Sequence, residues 1–452
     1  MRVAIIGTGY VGLTTGVCLA FTGHSVCCLD TNSSKICALK AGQIPIYEPN
    51  LSDLLEESRR NLEFTTDYAE AIPGAEVIFI AVGTPPTPSG APNLEFLSQA
   101  ARSIGQHIKS DFTVVVNKST VPIGSGNWVG SLVREACELR PNGRHTQFAV
   151  ASNPEFLREG SALHDSLYPD RIVIGADETR ALEVLYSLYR PILDQTFSAP
   201  TYLPRPEPVV AVPLLSTDLA SAELIKYAAN AFLALKVSFI NEMGLLAERV
   251  GADVTEVARG IGLDSRIGPR FLNAGLGWGG SCFGKDTSAL VATAGEYGLH
   301  LPIVEAARKI NGWQRDRVVE KLLHELKILK GRTIGLLGLA FKPNTDDLRE
   351  APAIEIAQKL IDRGVRVKAH DPIALERFQR EHSRMGVNLC SSPCEMADGC
   401  DALVLVTEWS DYRELDWECV ARKMRNPFIL DGRHALDREK LTRAGMRYMS
   451  IS

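Results

Sequence analysis

Residues 2–12 read RVAIIGTGYVG, a short apolar run that enters a turn with glycines at Gly7, Gly9 and Gly12. The spacing G-x-G-x-x-G directly follows a predicted strand and opens a helical pattern over Val11–Thr22. Glycines at these positions let backbone N–H groups and the helix N-terminus approach a pyrophosphate. The stretch predicts the first strand, turn and helix of a dinucleotide-binding fold; the alternative is a glycine turn without a ligand.

An acidic residue ends the next predicted strand. Asp30 closes the run SVCCLD, at about the 20-residue distance that dinucleotide-binding folds leave between the glycine turn and the ribose ligand. Its carboxylate would accept hydrogen bonds from both ribose hydroxyls and repel a 2′-phosphate, so we predict NAD rather than NADP. Lys35 lies nearby and could tolerate additional negative charge, which weakens that preference.

The N-terminal part of the chain continues the alternation of strand and helix. Its apolar runs are typical of strands buried on both faces, and helical patterns lie between several of them, as in a doubly wound parallel sheet. The predicted strands are RVAIIG, SVCCLD, VIFIAVGTP, FTVVVNKSTVP and FAVASNPEF.

A proline-rich stretch at 198–213 interrupts this alternation and predicts an irregular or edge segment. A long helical pattern then runs from about Ser216 to Val250, with Thr217 and Asp218 as candidate caps. Its length predicts a helix that lies between two domains.

A second α/β pattern begins after residues 331–343 and includes a helix at Ala353–Arg363. Its predicted strands are TIGLLGLAF, VRVKAHDP, ALVLVTEW and NPFILDGRH. The sequence therefore predicts an α/β protein with two doubly wound parallel-sheet domains joined by a long central helix.

Composition narrows the class of protein. The 452 residues carry a net charge of −5 and no basic block, which argues against nucleic-acid and membrane-surface partners. We read no signal peptide and no bilayer-spanning run. Ten cysteines without an export signal predict unbridged thiols in a reducing cytoplasm. Cys390 and Cys394 in CSSPC lack the spacing and the second pair of a zinc site, so we expect no metal.

One cysteine stands apart from the others. Cys282 lies in LGWGGSCFGKD, residues 276–286, where glycines surround the thiol and a helical pattern follows it. A thiol at a helix N-terminus is favoured as thiolate, Lys285 would add to this effect, and the glycines would leave room for a substrate carbon. Asp286 is either a base or an acid that complements the helix dipole. A reactive thiol and a buried, inert one both remain possible on this pattern.

A dinucleotide fold with an activated thiol indicates a reaction class. Hydride removal from a primary alcohol gives an aldehyde, and thiolate addition to its carbon gives a thiohemiacetal. Loss of a second hydride leaves a thioester, which water cleaves. The combination predicts a four-electron oxidation of an alcohol to a carboxylate that consumes two NAD.

Further polar residues suit this chemistry, although each has a structural alternative. Glu155 and Glu159 in NPEFLREG would share one face if the segment is helical, and one of them could handle a proton or water while the other stays structural. Lys226 and Asn230, also four residues apart, could stabilise an alkoxide or oxyanion. Strand-end residues would contact cofactor or water; they are Thr84, Ser119 and Thr120.

Taken in order, these motifs resemble those of the UDP-glucose 6-dehydrogenase family. The resemblance spans nearly the whole chain and is carried by GTGYVG, STVP, NPEFLREG, KYAANAF, SRIGPRFL, GGSCFGKD, AFKPNTDDLRE and DGRH. It implies two Rossmann-like domains joined by a long helix and assembly as a homodimer or higher homo-oligomer. The segments would be an NAD-binding domain at 1–210, a central helical domain at 211–315 and a UDP-sugar-binding domain at 316–452.

The resemblance also implies roles for individual residues. The catalytic set would be Cys282 as nucleophile with Lys226, Asn230, Asp286, Thr120, Glu155 and Glu159. The cofactor would contact Gly7, Gly9, Tyr10, Val11, Gly12, Asp30, Lys35, Thr84, Ser119, Thr120, Glu159, Lys285 and Arg349. The UDP-sugar would contact Glu155, Phe156, Leu157, Arg158, Lys226, Asn230, Arg266, Phe271, Asn273, Gly275, Gly279, Phe341, Lys342 and Arg433.

Within this resemblance Arg266 would reach the substrate of a neighbouring subunit, and the loop Asn273–Gly279 would wrap the substrate with backbone donors. Three positions depart from the family pattern, namely Gly83, Trp278 and Gly284. Trp278 could reshape the sugar or uracil pocket. None of the three removes a reacting group.

Other functions are also compatible with the sequence. PDRIVIG at 169–175 favours UDP-glucose over the GDP-mannose or UDP-N-acetylmannosamine that related dehydrogenases oxidise. A two-electron β-hydroxyacid dehydrogenase would use lysine without the cysteine. A non-catalytic nucleotide-binding regulator would not require the thiol.

Overall fold

The computed structural model describes residues 1–88, 90–109, 111–140 and 146–451. The chain forms two compact units. The first consists of residues Met1–Ala228 and Ser288–Tyr297, and the second of Ala229–Thr287 and Gly298–Ser452. The division into three segments at 210 and 315 stays a prediction.

An eight-stranded sheet forms the centre of the first unit, in the order β3-β2-β1-β4-β5-β6-β7-β8. Its strands are β1 Arg2–Ile6, β2 Ser25–Leu29, β3 Leu62–Thr65, β4 Val77–Ile80, β5 Thr113–Asn117, β6 Phe148–Ser152, β7 Ile172–Ala176 and β8 Leu214–Thr217. Its helices are α1 Tyr10–Phe21, α2 Ser33–Lys40, α3 Leu51–Ser58, α4 Tyr68–Ala71, α5 Glu95–His107, α6 Ser125–Glu138, α7 Ala162–Leu167 and α8 Thr179–Leu193.

Strand β1 shows why this sheet is covered on both faces. Val3 and Ile5 belong to one buried apolar cluster, whereas Ala4 and Ile6 belong to another. Successive side chains of a strand point to opposite faces, so a continuous apolar run supplies two cores at once. The predicted doubly wound α/β sheet is confirmed.

The strand order reverses between β1 and β4, which pair in parallel with Ile6 opposite Ile80. Ligands of open α/β sheets bind at the carboxyl ends of the strands at such a point. The glycine turn after β1 and the segments after β4 and β5 therefore flank the expected ligand position.

The sheet differs from the prediction at both edges. Strand β7 pairs with β6 in the antiparallel sense, with Ala151 opposite Ala176, while the other pairs are parallel. Strands β3, β7 and β8 were not predicted, and β8 directly follows the irregular proline-rich stretch.

The long predicted helix is present as α9, Leu219–Val250. Asp218 caps it, because its Oδ1 accepts a hydrogen bond from the Ser221 amide at 2.7 Å. The three predicted residues before Leu219 lie outside the helix, since β8 extends to Thr217.

The second unit contains a parallel sheet in the order β11-β10-β9-β12-β13-β14. Its strands are β9 Thr333–Leu337, β10 Arg366–His370, β11 Asn388–Leu389, β12 Ala402–Leu405, β13 Phe428–Asp431 and β14 Arg447–Ser450. The remaining helices are α10 Val254–Gly262, α11 Phe283–Glu296, α12 Pro302–Leu326, α13 Pro352–Ile361, α14 Leu375–His382, α15 Pro393–Ala397, α16 Ser410–Arg413, α17 Trp417–Lys423 and α18 Arg438–Arg443. Within the described ranges, no helix has the length and apolarity to cross a bilayer.

Candidate active site

The three glycines of the turn after β1 do not all serve the same purpose. Gly7 has φ +96°, and a Cβ there would lie 2.6 Å from the Ala81 carbonyl oxygen. At Gly12 a Cβ would lie 1.9 Å from the Gly7 carbonyl oxygen. Gly9 instead faces open space. The first and third glycines are thus required by packing, while the second leaves room above the turn.

The N-terminus of α1 fits an anionic group. Gly9 is its N-cap residue and supplies no side-chain cap, and the first turn, which includes Val11, contains no acidic residue. The first N–H groups of a helix have no partner within the helix. Tyr10 fixes the turn from one side, since its hydroxyl oxygen accepts from the Gly160 amide at 2.7 Å. A dinucleotide pyrophosphate fits this uncapped terminus.

Asp30 lies at the end of β2, as expected. Its Oδ2 accepts from the Thr8 amide at 3.0 Å and from Lys35 Nζ at 2.9 Å, and its Oδ1 accepts from the Asn32 amide at 3.0 Å. Burial raises the pKa of Asp30, but these donors together hold it below its ordinary value. The carboxylate is therefore ionised and oriented, and Lys35 pairs with it.

The segments after β4 and β5 are bonded to each other. Thr84 Oγ1 donates to the Thr120 carbonyl at 2.9 Å, and Ser119 Oγ donates to the Val82 carbonyl at 2.7 Å. The structure thus brings the three predicted strand-end residues together at the carboxyl edge of the sheet.

Glu155 and Lys226 form a buried ion pair in the first unit. Glu155 Oε1 accepts from Lys226 Nζ at 2.9 Å, and the side chains expose 7% and 5% of their surface. Burial raises the pKa of Glu155, whereas Lys226, the Leu157 amide and Lys118 lower it, with a net downward shift. An ionised carboxylate therefore holds a cation in a low-dielectric environment.

The segment that carries Glu155 and Glu159 is not helical, so the two residues do not share a helical face. Residues 153–160 form a loop between β6 and α7. The Leu157 amide bonds to Glu155 Oε2 at 2.6 Å and the Gly160 amide bonds to Glu48 Oε2 at 2.6 Å. Carboxylates thus take the amide protons that a helix would have given to carbonyl groups.

The side chains of the same loop are held by neighbours. The Arg171 guanidinium lies 3.7 Å from the ring centre of Phe156. Arg158 forms an ion pair with Asp165 at 2.6 Å. The Arg158 guanidinium is therefore already paired with a carboxylate. A ligand that binds Arg158 would either displace Asp165 or bind beside it.

Two buried residues that no sequence motif indicated, Lys118 and Asn153, lie near the ion pair. Lys118 Nζ donates to Asn153 Oδ1 at 2.9 Å, and Asn153 Nδ2 donates to the Val173 carbonyl at 2.8 Å. Burial lowers the pKa of Lys118 to about 8, with Glu155 opposing the shift. In the sequence Lys118 is simply a lysine next to the strand-end Ser119. This arrangement is typical of an ordinary surface turn and does not indicate a buried site.

The depressed pKa of Lys118 predicts a pH-dependent stability. Between about pH 8 and pH 10.5 the unfolded chain retains a proton that the folded chain has released, so stability rises with pH in this interval. Relative to Lys118→Met, the wild-type free energy of unfolding should increase by about 2 kcal/mol between pH 7.5 and pH 9.5. Urea unfolding at both pH values measures this change, and a constant difference between the two proteins would contradict it.

In the second unit Asn230, Asp286 and Lys285 form a connected set. Asn230 Nδ2 donates to Asp286 Oδ2 at 2.6 Å, and Lys285 Nζ pairs with Asp286 Oδ1 at 2.6 Å. Asp286 exposes only 1% of its surface. A buried carboxylate between an amide and a cation is held in one orientation.

Cys282 lies at the start of α11, as expected. Its carbonyl accepts the first helical hydrogen bond, from the Asp286 amide at 2.8 Å. The thiol is partly exposed, and its sulfur lies 3.5 Å from Ser281 Oγ. The position places the sulfur near the positive end of the helix dipole, which favours thiolate.

The glycines around Cys282 do not leave the space that the sequence suggested. A Cβ at Gly277 would lie 2.2 Å from Asn311 Oδ1, and one at Gly279 would lie 2.4 Å from the Glu350 carbonyl oxygen. At Gly284 it would lie 1.8 Å from Glu350 Oε2. These glycines let protein atoms approach the loop, so the expectation that they make room for substrate was wrong at these positions.

Several backbone donors of the Asn273–Gly279 loop are also occupied. The Gly275 amide donates to Asn241 Oδ1 at 2.8 Å, and the Trp278 amide donates to Asn311 Oδ1 at 2.7 Å. Arg315, which was not predicted, donates to the Trp278 carbonyl at 2.8 Å. The expectation that the loop presents its amides to a ligand is corrected at Gly275 and Trp278, because buried side chains of α9 and α12 bind them first.

The other predicted ligand-binding residues of the second unit have diverse environments. Arg433 donates to the Gly277 carbonyl at 3.0 Å, and Arg349 pairs with Asp347 at 2.7 Å. Arg266 exposes 87% of its side chain and pairs with Asp264. Phe341 and Lys342 are half-buried, and Asn273 is exposed. A Cβ added at Gly280 would lie 2.7 Å from the Phe341 ring. Phe271 packs 6.1 Å from the ring of Phe283.

Three family descriptions match successive parts of the chain. They are the UDP-glucose/GDP-mannose dehydrogenase family NAD binding domain over residues 1–193, its central domain over 220–313 and its UDP binding domain over 335–438. Together they extend across most of the sequence.

Similar proteins agree with these matches. UDP-glucose 6-dehydrogenase TuaD of Bacillus subtilis is 45% identical, over 100% of this chain and 93% of that protein. UDP-glucose 6-dehydrogenase of Rhizobium meliloti is 44% identical, over 100% of this chain and 99% of that protein. The structure of a UDP-glucose dehydrogenase from the archaeon Pyrobaculum islandicum matches with a TM-score of 0.88 at 40% identity, covering 99% of this chain and 97% of that chain. The chain belongs to the UDP-glucose/GDP-mannose dehydrogenase family.

Proposed function

We propose that this protein oxidises the C6 hydroxymethyl group of UDP-glucose to the carboxylate of UDP-glucuronate with two NAD per turnover. The observation that carries the proposal is Cys282 at the start of α11, one turn before a buried aspartate bonded to Asn230. Full-length similarity to UDP-glucose 6-dehydrogenases supports the choice of substrate.

The first unit would hold the dinucleotide. Gly7, Gly9 and Gly12 with the N-terminus of α1 would bind its pyrophosphate, and Asp30 would bind its adenosine ribose. When bound, NAD supplies the acceptor for a hydride. Thr84, Ser119, Thr120 and Glu159 would line the rest of the cofactor site in this unit. Lys285 and Arg349 are the candidate cofactor contacts of the second unit.

The ion pair in the first unit would stabilise developing negative charge. In this proposal Lys226 faces the C6 oxygen, where a buried cation lowers the energy of an alkoxide and later of the thiohemiacetal oxyanion. Glu155 keeps the ammonium group oriented through its 2.9 Å contact. Asn230 would orient the water, and Asp286 would accept its proton.

The sulfur of Cys282 would make and break one bond to carbon. After the first hydride leaves, the thiolate adds to the aldehyde carbon and forms a C–S bond. The second hydride leaves from the same carbon and gives a thioester, and water then cleaves the C–S bond and restores the thiol. Overall, one alcohol, one water and two NAD give one carboxylate, two NADH and three protons.

The UDP moiety would bind to the second unit, whose sequence matches a UDP binding domain. Phe341, Lys342, Arg433 and Phe271 are the candidate contacts, with Arg266 reaching a neighbouring subunit. Localised cations are needed because a diphosphate would otherwise be repelled by a chain of net charge −5.

A panel of nucleotide sugars with NADH counting tests this function. UDP-glucose should be consumed with two NADH per molecule, and UDP-N-acetylmannosamine and GDP-mannose should react far more slowly. Faster turnover of either alternative would identify a sister dehydrogenase. One NADH per substrate would favour a two-electron reaction, and binding without NADH would favour a regulator.

Replacing Asp30 by asparagine should weaken NAD binding. Loss of a charge-assisted hydrogen bond to the ribose is expected to raise the dissociation constant by about 5- to 150-fold, equivalent to about 1–3 kcal/mol. Titration calorimetry measures the change, with Asp53→Asn in α3 as a control at an exposed carboxylate of the same unit. Unchanged NAD affinity in Asp30→Asn would refute the ribose assignment.

A homodimer or higher homo-oligomer is the proposed assembly. Helix α9 exposes Phe232, Phe239 and Leu246 by 60%, 42% and 58%, at a spacing of seven residues that places them on one face. An exposed apolar stripe of this kind is typical of a subunit interface. Sedimentation equilibrium should give at least twice the mass of the chain, and Phe239→Asp should shift the protein toward monomer. A wild-type monomer at micromolar concentration would contradict the assembly.

The proposed location is the cytoplasm. Cysteines outside the glycine-rich loop, both buried and partly exposed, carry unbridged thiols. Thiols persist in reducing compartments.

A further inference from the structure

Two cysteines of the second unit have their sulfur atoms in contact. Cys394 lies in α15 and Cys419 lies in α17, and their sulfurs are 3.2 Å apart. Both residues are partly exposed. In a disulfide the sulfurs lie about 2.05 Å apart, so a movement of about 1 Å would suffice to form the bond.

The other cysteines nearby have different environments. Cys390 and Cys400 are buried, with 3% and 0% of their surface exposed. Their thiols point to main-chain carbonyls, that of Asn388 at 3.8 Å and that of Met396 at 3.0 Å respectively. Cys394, which the sequence grouped with Cys390 in CSSPC, thus has a sulfur partner from a separate helix.

The helices that carry the pair are anchored in the core. In α15 Met396 and Ala397 are fully buried, and in α17 Trp417 and Val420 expose 3% and 1% of their surface. The short sulfur–sulfur distance is therefore a property of two packed helices rather than of a loose surface segment.

We propose that Cys394 and Cys419 form a redox-sensitive dithiol that a peroxide converts to an intramolecular disulfide. One thiolate attacks the peroxide and becomes a sulfenic acid, with release of hydroxide or of an alkoxide that takes a proton from water. The second thiol attacks that sulfur, the S–S bond forms and water leaves. The two sulfurs together lose two electrons, and the peroxide is reduced by the same two electrons.

The bond would link α15 and α17, which lie before and after strand β12 in the sequence. The closed loop from Cys394 to Cys419 includes β12, which pairs with both β9 and β13. A cross-link of this kind restricts the unfolded chain more than the folded one. Oxidation should therefore stabilise the second unit, and a thiol reductant should reverse the effect.

The thiolate must form before the first step. A hydrogen bond with Cys419 and burial raise the pKa of Cys394; Asp416 adds to this shift, and Lys423 opposes it. Oxidation is therefore best tested at mildly alkaline pH, where more of the pair is ionised.

Peptide mapping of the full-length protein tests the proposal. The protein is treated at pH 8 with stoichiometric hydrogen peroxide, alkylated and digested with trypsin without reduction. Cys394 falls in the peptide 385–413 and Cys419 in the peptide 414–422. A linked pair of these peptides is expected, with the protein remaining one chain on a non-reducing gel and melting at least about 5 °C higher than the reduced form.

Variants distinguish the pair from neighbouring thiols. Cys394→Ser and Cys419→Ser should each lose the linked peptides and the rise in melting temperature, whereas Cys390→Ser should keep both. The readout does not depend on Cys282, which falls in the peptide 271–285. Full alkylation of Cys394 and Cys419 after peroxide, a link through Cys390 or Cys400, or a link between two chains would overturn the proposal.

Discussion

Replacing Cys282 by serine should reduce steady-state NADH formation from UDP-glucose by about a thousandfold or more. A serine hydroxyl at the start of α11 remains almost entirely protonated at neutral pH, because the helix dipole cannot compensate for its much higher pKa. The aldehyde from the first oxidation then lacks its nucleophile. The second hydride is lost with it, and net production of the carboxylate stops.

Absorbance of NADH at fixed UDP-glucose and NAD measures this effect. Cys419→Ser is the matched control, since it makes the same change at a partly exposed thiol of the same unit and should keep wild-type turnover. NAD affinity should be unchanged in both variants. A Cys282→Ser protein that still releases two NADH per substrate at a comparable rate would eliminate the thiol from the mechanism.

Replacing Lys226 by methionine should lower kcat by about 100- to 1,000-fold, because the buried cation that stabilises oxyanions is removed. The change should also act on Glu155, whose pKa is lowered by Lys226. Without the ammonium group the carboxyl group titrates at higher pH. In the pH profile of the residual kcat, the acidic limb should therefore move to higher pH.

Lys236→Met provides the comparison for this variant. Lys236 lies on the same helix, and its ammonium group donates to the Ile267 and Gly268 carbonyls at 3.0 and 3.2 Å rather than to a carboxylate. Both proteins should be compared by kcat, KM and melting temperature, since removal of one partner of a buried ion pair also destabilises the fold. A folded Lys226→Met enzyme with kcat within threefold of wild type would show that this lysine does not stabilise the reaction.

Local sequence patterns predicted the parts of the molecule in which chemistry and backbone geometry coincide. The glycine turn at Gly7 and Gly12 is read correctly because close backbone approaches exclude every other residue. The position of Asp30 is predicted correctly, because it directly follows a strand at a fixed distance from that turn. Cys282 is correctly placed before a helix because the pattern after it has helical periodicity.

Contacts between distant segments could not be read in this way. The glycines near Cys282 suggested open space, but they accommodate protein atoms from residues 311 and 350, which are remote in sequence. The loop at Glu155 could not be recognised from local sequence, because the carboxylate of Glu48, which binds the Gly160 and Ala162 amides, is remote in sequence. No sequence motif indicated Lys118 or Arg315, because what distinguishes these two residues is their burial in the folded protein.

The most direct test of the central claim is the mass of the tryptic peptide 271–285 from enzyme quenched with acid during turnover. This peptide contains Cys282 as its only cysteine. A fraction of it should carry the mass of the oxidised UDP-sugar in thioester linkage, and the addition should disappear once the substrate is exhausted. An unmodified peptide in a sample that is producing NADH at full rate would contradict covalent catalysis by this cysteine.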